Sequence, residues 1–394
     1  MNFYFLILLM IGIVLSLFSL NLGNNSLSFL INIVVSFFVL FNTKEKNILH
    51  LMFGIGFVFF ILLPYIIYSI IGYLISSNYY LVILLFCALF LFLTRNIEVL
   101  NLSLQKYPYY KYTFIFFISL IFLIATKGYL FIFLSGLLVL FISRGMSHFN
   151  YKDLIIYVFP YLIFFIIYSV FYWSGFGRLI LAGNLIYPIL YWLKFSKLKI
   201  KNIYIYFSAI AVGCTLSILR FTEEQLSLDV LLKDSSFGPF RRGHDIYSEI
   251  ESYSFNLLGF LDQLSLMIFS FIPREIWTNK PKGFGRLYVE NEMDTTIFSE
   301  EHSIAGLFSG DFFYFLNYYS ILILPIFLIL FVGFLKKLNY RFSNINHVAL
   351  IYMPTFVWGG MASFGARFSL VCAFLIIWLI MENLVKKSLI NVRH

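Results

Sequence analysis

The sequence predicts an all-α membrane protein that crosses the bilayer many times. Of its 394 residues, 61% are hydrophobic and 12% are charged, whereas soluble domains carry about a quarter charged residues. The apolar residues form runs of about 15–22 residues between short polar joints, and a spanning helix needs about 20. A single water-soluble core is therefore excluded. We expect a polytopic protein with about twelve transmembrane helices and one large periplasmic loop that contains an interfacial helix.

The apolar runs set the predicted spans. The first run, Asn2 to Leu20, lacks a basic start and a small-residue cleavage site, so we expect a retained span and not a signal peptide. Cys87, Cys214 and Cys372 all lie inside apolar runs, which indicates packing residues and no disulfide framework or metal cluster. The predicted spans are roughly 2–20, 26–41, 48–75, 79–94, 112–126, 129–143, 154–174, 179–193, 203–221, 305–335, 348–360 and 366–385.

The distribution of basic residues predicts the orientation of these spans. One set of six joints carries 17 of the 28 Lys and Arg residues, and the alternate joints are short and nearly neutral. Because cytoplasmic joints attract Lys and Arg, we place the basic set and both termini in the cytoplasm. The basic joints are 42–47, 95–111, 144–153, 194–202, 336–347 and the tail from residue 386.

The segment from Thr222 to Ile304 is then external, and it holds 14 of the 19 acidic residues. A structureless loop of this length is uncommon unless it has a function. Within it, the run from Asn256 to Ile272 is apolar but contains Asp262 and Gln263, which favours an interfacial helix over a thirteenth span. The predicted organisation is residues 1–221 with transmembrane helices 1–9, residues 222–304 as the loop, and residues 305–394 with helices 10–12 and the tail.

The stretch FIPREIWTNKPKGFG, Phe271 to Gly285, gathers cations and turn formers directly after the interfacial helix. Pro273 ends that helix, Arg274 emerges at the headgroup level, and Trp277 is an aromatic of the interface. Arginine offers a planar fork that matches phosphate oxygens, and lysine adds a mobile point charge. We expect a diphosphate site, with lipid headgroups or the loop's own acids as the alternative partners of these cations. Its other cations are Lys280, Lys282 and Arg286.

Cations elsewhere are candidates for the same site. Arg241 and Arg242 stand together in the loop, and pairing with neighbouring acids is the alternative explanation. Arg367 lies in the apolar context GGMASFGARF, and a charge at the bilayer centre costs about 2.5–3.5 kcal/mol on insertion scales. Such a residue usually faces a polar cavity. Arg178 and Arg220, at the outer ends of two spans, are interpreted as snorkelling side chains.

Acidic residues and a histidine stand where the tenth span begins. Asp311 lies just inside an apolar run, where desolvation would make it a stronger general base. His302 is an equally good candidate. Capping of a helix N-terminus explains acids at such places without any chemistry; this is the favoured interpretation of Glu300 and Glu301, and it is left open for His302 and Asp311.

Several common chemistries are missing from the sequence. It contains no Walker loop, no Rossmann glycine fingerprint, no HExxH motif and no Cys/His metal spacing. Glu290, Glu292 and Asp294 are clustered, but the turn glycine and the late bidentate acid of a calcium loop are absent. We therefore expect no metal and no cofactor. Most basic residues are scattered over the cytoplasmic joints, which argues against binding of nucleic acid.

The run from Ile272 to Pro281 reads I-P-R-x-x-W-x-x-K-P and resembles the hallmark of Wzy-type oligosaccharide repeat-unit polymerases, which include O-antigen polymerases. Arg274 with Gly285 also matches an Arg-x10-Gly pattern of that family, whereas counting from Arg178 ends on Ile189, so a second copy is missing. In the family a Ser/Gly-rich entry to the next span follows, for which this chain has Ser303, Gly306, Gly310, Asp311 and Asn317.

The resemblance implies a glycosyltransferase of lipopolysaccharide O-antigen biosynthesis on the periplasmic face of the bacterial inner membrane. It would move a growing glycan from undecaprenyl diphosphate onto a new undecaprenyl-diphosphate-linked repeat unit, beside a Wzz-type chain-length regulator and membrane lipids. Fixed cations would stabilise the charge that grows on the leaving diphosphate. The expected roles are Arg274, Arg241 and Arg367 on the diphosphate with Arg242, Lys280, Lys282 and Arg286, either His302 or Asp311 as base, and Tyr253, Trp277 and Tyr288 on the sugars.

Three other classes of protein share parts of this pattern. A Wzx-type flippase of the same lipid-linked unit should show two related halves and charges within its early spans, and the first eight spans here are almost free of charge. An O-antigen ligase would use the same donor with a different acceptor, and the hallmark argues against it by analogy. A membrane scaffold without enzymatic activity is the third alternative.

Overall fold

A computed structural model of the chain is built from helices in the residues that it describes. The residues that the structure describes are 3–21, 25–41, 47–73, 75–95, 109–146, 150–173, 178–195, 200–218, 237–293, 304–341 and 343–391. In the first half the helices are α1 Phe3–Asn21, α2 Asn25–Phe41, α3 Ile48–Ile70, α4 Ser77–Thr94, α5 Tyr109–Ala125, α6 Phe131–Gly145, α7 Tyr151–Phe171, α8 Arg178–Phe195 and α9 Asn202–Ile218.

The second half begins with three helices in the predicted loop. These are α10 Gly238–Ser248, α11 Leu257–Phe269 and α12 Phe284–Glu292. They are followed by α13 Leu307–Leu316, α14 Ser320–Arg341, α15 Ser343–Ile351 and α16 Met353–Asn391. A short 3₁₀ turn, Asn317–Tyr319, joins α13 to α14.

The protein is a helical membrane protein by the length and composition of its helices. Within the described residues, five helical segments are long and apolar enough to cross a bilayer: Ile48–Ile70, Ser77–Thr94, Tyr151–Phe171, Leu307–Leu338 and Met353–Glu382. Large apolar side chains such as Val34, Phe114, Ile121, Leu330 and Ile377 are more than half exposed on their helices. Soluble proteins rarely expose so many large apolar side chains, whereas lipid tails surround such side chains favourably.

Helix α3 lies at the centre of the bundle. All its residues from Ile48 to Leu62 are buried, and Phe53 stacks on Phe90 of α4 with ring centroids 4.2 Å apart. One π-helical turn, Val58–Leu62, precedes Pro64. Another, Leu154–Val158 in α7, likewise precedes a proline. A proline ring clashes with the carbonyl four residues before it, and the wider turn relieves that clash.

Polar side chains between the first helices hydrogen-bond to one another inside the bundle. The Ser16 hydroxyl shares a 2.8 Å hydrogen bond with that of Ser28 and donates another of 2.8 Å to Asn32 Oδ1. Asn32 Nδ2 in turn donates to the Tyr65 hydroxyl at 3.1 Å, and Tyr65 stacks on Tyr80 at 3.7 Å between centroids. Hydrogen bonds of this kind hold membrane helices together where apolar burial between helices offers no driving force.

Helix α16 is broken at Gly359 and Gly360, which have non-helical backbone angles. The chain bends there so sharply that the rings of Phe356 and Phe364 lie 5.9 Å apart between centroids, although eight residues of straight helix rise about 12 Å. The sequence, with Gly359, Gly360 and Gly365 between the predicted spans 348–360 and 366–385, predicts a tight turn here. The break falls on the first two, and Gly365 lies within the helix that follows.

A helix, α11, is present where the interfacial helix was predicted, and it ends four residues before Pro273; its position relative to the membrane stays a prediction. Its 13 residues extend about 20 Å, less than the ~30 Å hydrocarbon core. Leu258 and Ile268 are exposed, whereas Phe260, Gln263 and Leu266 are buried. The helix therefore packs on the protein with one face and presents apolar side chains on the other.

Gln263 ties α11 to the loop that follows it. Its Nε2 donates to the Lys282 carbonyl at 3.2 Å, and its Oε1 accepts from the Phe284 backbone N–H at 2.8 Å. These two bonds fix the start of α12 against α11. The amide side chain is fully buried, so both of its partners would lose their bonds in an apolar variant.

We expect Gln263→Leu to lower the thermal stability of the detergent-solubilised protein. Each buried backbone group left unsatisfied costs about 1–3 kcal/mol. The matched control is Ser265→Ala on the same helix, because Ser265 donates only to its own helix at Asp262 O. A melting temperature of Gln263→Leu equal to that of Ser265→Ala would contradict the role given to this side chain.

Candidate functional site

Helix α10 carries the two adjacent arginines of the predicted loop and is packed into the protein. Pro239 lies in its first turn, and Phe240 and Ile246 are buried. Gly243 lies against the Tyr79 hydroxyl and the Gly306 carbonyl, where a Cβ atom would collide with both. The residues around Arg241 and Arg242 are therefore held on a fixed helix and not on a free loop.

Arg242 folds back over the first turn of α10, with its Nη groups over Gly238. Its Nε donates to the Ala305 carbonyl at 2.7 Å, and no acceptor for the Nη groups is found among the described residues. Burial lowers the pKa of Arg242 to about 10, so the guanidinium remains charged at neutral pH. The N-terminus of α10 has no side-chain cap, and its dipole adds to the attraction of an anion.

Arg241 lies beside it, partly exposed and held by an aromatic ring. Its guanidinium carbon is 4.5 Å from the centroid of the Tyr73 ring, and its Nε donates to the Tyr73 hydroxyl at 2.9 Å. That hydroxyl donates to Asp245 Oδ1 at 3.2 Å, and Asp245 Oδ2 is 3.8 Å from Arg241 Nε. The predicted pairing of Arg241 with a neighbouring acid is therefore present, together with a cation–π contact.

His244 is buried, and its ring nitrogens contact Ser76, Asp245 and, at 3.4 Å, the Ser248 hydroxyl. Its Nε2 accepts a 3.0 Å hydrogen bond from the Ser76 backbone N–H. Its Nδ1 lies 3.3 Å from Asp245 Oδ1. Because Nε2 acts as the acceptor, the proton belongs on Nδ1, and Asp245 accepts from it. Asp245 thus accepts from both His244 and Tyr73.

A cleft of about 970 Å³ opens beside this group, near the upper end of the range for ligand pockets. The ends of α1 and α2, the turn between α3 and α4, and α10 form its walls. Tyr73 and His244 belong both to the cleft lining and to the contacts around Arg241. The cleft and the arginine pair are therefore neighbours.

Two of the three aromatic side chains predicted to bind sugars are packed inside the protein. Tyr253 and Tyr288 are each 8% exposed, and both rings contact Tyr314, at 4.9 and 5.8 Å between centroids. Burial raises the pKa of Tyr288 to about 12. Trp277 is half-buried in the loop after α11. A sugar-binding role of these three residues stays a prediction.

Arg274 and Lys280 bind carbonyl groups of their own loop. Arg274 is exposed, and its Nη1 and Nη2 donate to the carbonyls of Lys280 and Pro281 at 2.7 and 3.3 Å. Lys280 Nζ donates to the carbonyls of Ser270 and Ile272 at 2.7 and 2.8 Å. Burial, followed by the charge of Arg274, lowers the pKa of Lys280. In this arrangement both cations stabilise the conformation of the loop through hydrogen bonds to its carbonyl groups.

Lys282 and Arg286 form ion pairs with one carboxylate. Lys282 Nζ lies 2.7 Å from Glu290 Oε2, and Arg286 Nε lies 3.0 Å from Glu290 Oε1. Hydrogen bonds from Lys282 and then Arg286 lower the pKa of Glu290. Pairing with an acid of the same loop, which was the alternative explanation for these cations, is therefore observed. Their role in binding a diphosphate stays a prediction.

Asp311 is fully buried at the break in α16. Its Oδ2 accepts from the Met361 backbone N–H at 3.1 Å, at the start of the helix that follows Gly360. Oδ1 has no hydrogen-bond partner within the described residues. Asp311 therefore caps a helix, which was one of the two interpretations left open for this residue. The capped helix is the part of α16 after Gly360, and not α13, on which Asp311 lies.

Arg367 lies on the same helix beyond that break. Its Nη1 donates to the Ser363 carbonyl one turn earlier, and its buried Nε finds no partner in the described part of the chain. An unpartnered guanidinium nitrogen inside a membrane protein is unusual, and the polar cavity expected around Arg367 stays a prediction. The structure shows no contact of Arg367 with Arg241, Arg242 or Arg274 among the described residues.

Among the described residues the predicted cations have different partners. Arg241 contacts Tyr73, Arg274 binds carbonyls of its own loop, and Lys282 pairs with Glu290. His302, Arg220 and the side chain of Arg178 lie outside the described residues. Convergence of all these cations on one pocket stays a prediction.

Sequence reasoning missed Tyr73 and the role of Asp245. Tyr73 lies 168 residues before Arg241, and no local pattern links the two. The spacing of Asp245 four residues after Arg241 is the one available signal, because such pairs face each other on a helix. The sequence alone supports only charge balance at this spacing, because no apolar run predicts a helix at α10.

Comparison of the chain with protein-family models, with characterised proteins and with solved structures finds no match. The class of the protein follows from the fold alone. It is a membrane-embedded helical protein with a pair of arginines beside a large cleft.

Proposed function

We propose that this protein is a membrane glycosyltransferase that polymerises lipid-linked repeat units, as the resemblance to Wzy-type polymerases implies. Its substrates are a growing glycan on undecaprenyl diphosphate and a new repeat unit on the same carrier. The proposal places the reaction on the periplasmic face of the bacterial inner membrane, with both termini in the cytoplasm and a Wzz-type chain-length regulator as partner.

One observation carries the proposal: Arg242 presents charged Nη groups, without a protein acceptor among the described residues, over an uncapped helix start and beside Arg241. Arg241 already has Asp245 Oδ2 3.8 Å from its Nε, whereas Arg242 has no carboxylate in an ion pair with it among the described residues, so an anion at the Arg242 Nη groups would be favoured. A diphosphate carries several negative charges and matches the planar fork of each guanidinium.

The reaction breaks one bond and forms another at the anomeric carbon of the growing glycan. The bond to the diphosphate oxygen breaks with its electron pair, and a bond to a hydroxyl oxygen of the acceptor sugar forms. The arginine pair stabilises the charge that grows on the leaving oxygen. Since that charge is absent in the substrate, the stabilisation is larger in the transition state.

A proton acceptor completes the reaction by taking the proton of the acceptor hydroxyl. The proposal keeps His302 and Asp311 as candidates from the sequence, and the structure adds Asp245. Asp245 is partly exposed and lies within 3.8 Å of Arg241 Nε, next to the cleft. Asp311 is buried and already binds the Met361 N–H, which favours a structural role for it.

Purified protein in liposomes with lipid-linked repeat units tests this function. We expect a ladder of longer glycans, with one undecaprenyl diphosphate released for each new glycosidic bond. Movement of units between leaflets without new bonds would instead indicate a flippase. Transfer only to a different acceptor would indicate a ligase, and no conversion of any kind would overturn the proposal.

A further inference from the structure

The cleft beside α10 has a lining that differs sharply from the arginine pair next to it. Within the described residues, no Lys, Arg, Asp or Glu side chain lines it. Its polar groups are amides and hydroxyls from three walls, among them Asn21, Asn25, Ser26, Ser76, Asn78 and Ser248.

Such a lining matches a neutral ligand that is rich in hydroxyl groups. Amides and serine hydroxyls both donate and accept hydrogen bonds, as the hydroxyls of a sugar require. The cleft also contains the half-buried aromatic side chains of Phe29 and Tyr73, whose rings provide flat apolar surfaces for the C–H faces of a sugar. A phosphate or an acidic group in the cleft would find no cation on its walls.

The position of the cleft relative to the arginines fits a molecule that has a neutral glycan at one end and an anionic diphosphate at the other. Tyr73 lines the cleft, and its hydroxyl accepts from Arg241 Nε at 2.9 Å. His244 and Ser248 extend the same wall along α10. A glycan in the cleft would therefore have its attached diphosphate within reach of Arg241, and Arg242 is the next residue on α10.

From these contacts we infer that the cleft is the subsite for the neutral glycan of the lipid-linked substrate. The inference rests on the proposed function and adds to it the place of the sugars. The polar side chains around Ser26 and Asn78 bind the sugar hydroxyls, and the arginine pair binds the diphosphate. Binding energy from the glycan then positions the reacting bond beside the cations.

A variant that fills the cleft tests the inference. Ser26 is an exposed lining residue near the start of α2, so Ser26→Trp should occupy the space without disturbing the core. The matched control is Leu30→Trp, one turn further along the same helix, where Leu30 is 58% exposed and does not line the cleft.

Two probes are measured on the detergent-solubilised full chain: inorganic pyrophosphate, and the oligosaccharide released by mild acid from the cell's own lipid-linked units. In Ser26→Trp we expect oligosaccharide affinity to fall by at least about tenfold, with pyrophosphate affinity unchanged. Leu30→Trp should bind both probes as the unmodified chain does.

The outcomes separate this inference from the proposed function. Oligosaccharide binding that Ser26→Trp leaves unchanged, or that the unmodified chain lacks, overturns the glycan subsite. So does a phospholipid that copurifies with the unmodified chain and is lost from Ser26→Trp. Absence of pyrophosphate binding in every variant, with glycan binding intact, would overturn the diphosphate site and leave the subsite standing.

Discussion

Replacing Arg242 with methionine is expected to lower the rate of glycan transfer by about 10²–10³-fold, the usual effect of removing one fixed charge donor from a site. Methionine keeps most of the apolar stem but loses the charged fork. The Nη groups over Gly238 would then be absent at the position where the leaving diphosphate gains its charge. The measurement is the initial rate of polymer formation by the purified protein in liposomes.

The same variant should lose binding of inorganic pyrophosphate, which separates loss of the anion site from a general loss of activity. Since Arg242 also donates to the Ala305 carbonyl at 2.7 Å, the melting temperature must be compared as well. Lys336→Met is the control: Lys336 is an exposed cation of α14, far along the chain from α10. Unchanged pyrophosphate binding in a folded Arg242→Met protein would remove the basis of the proposed function.

The pH dependence of pyrophosphate binding follows from the same residue. Burial lowers the pKa of Arg242 to about 10. Anion binding is therefore fully present below that pH and is lost as the pH rises through it. The free energy of unfolding changes in the opposite direction. Because the unfolded chain binds this proton more tightly than the folded protein does, the contribution of Arg242 to the free energy of unfolding increases as the pH rises through about 10.

The sequence predicted most helices because apolar runs and their interruptions are local signals. The runs 26–41 and 79–94 correspond to α2 and α4, which begin one or two residues earlier. Pro273 marked the end of the segment that contains α11, and the glycines at 359 and 360 marked the break in α16. The number of spans was predicted as twelve, and five long apolar segments are present within the described residues.

The site was harder to predict because its contacts join distant parts of the chain. Tyr73 lies near the end of the third predicted span, whereas Arg241 belongs to the large loop, and only the fold brings them together. Helix α10 is rich in glycine and charge, so no apolar run indicated it. Arg274 was the leading candidate for the diphosphate, and its two carbonyl bonds arise from the turns of its loop, which composition alone does not specify.

Replacing Gly360 with alanine is expected to destabilise the protein strongly. Gly360 has φ +69° and ψ −157°, a region that is essentially restricted to glycine and costs other residues about 1–3 kcal/mol. A Cβ atom there would also lie 2.6 Å from Asp311 Oδ2, inside van der Waals contact. We expect a lower melting temperature and a poor yield of folded protein in detergent.

Gly333→Ala provides a matched control for this substitution. Gly333 lies in α14 with open space around it, and alanine is about 1 kcal/mol better than glycine within a helix. That variant should melt at the same temperature as the unmodified protein or slightly higher. If Gly360→Ala behaved like Gly333→Ala, the break in α16 would not depend on glycine.

The contact between Gly360 and Asp311 can be tested by combining substitutions. Asp311→Ala removes the carboxylate that the Cβ atom of Gly360→Ala would contact. The loss of stability in the Gly360→Ala/Asp311→Ala double variant should therefore be smaller than the sum of the losses in the two single variants. Asp311→Asn keeps an oxygen for the Met361 N–H but cannot act as a base. Glycan transfer by a stable Asp311→Asn protein would therefore assign Asp311 to the helix break, whereas loss of transfer without loss of stability would assign it to proton transfer.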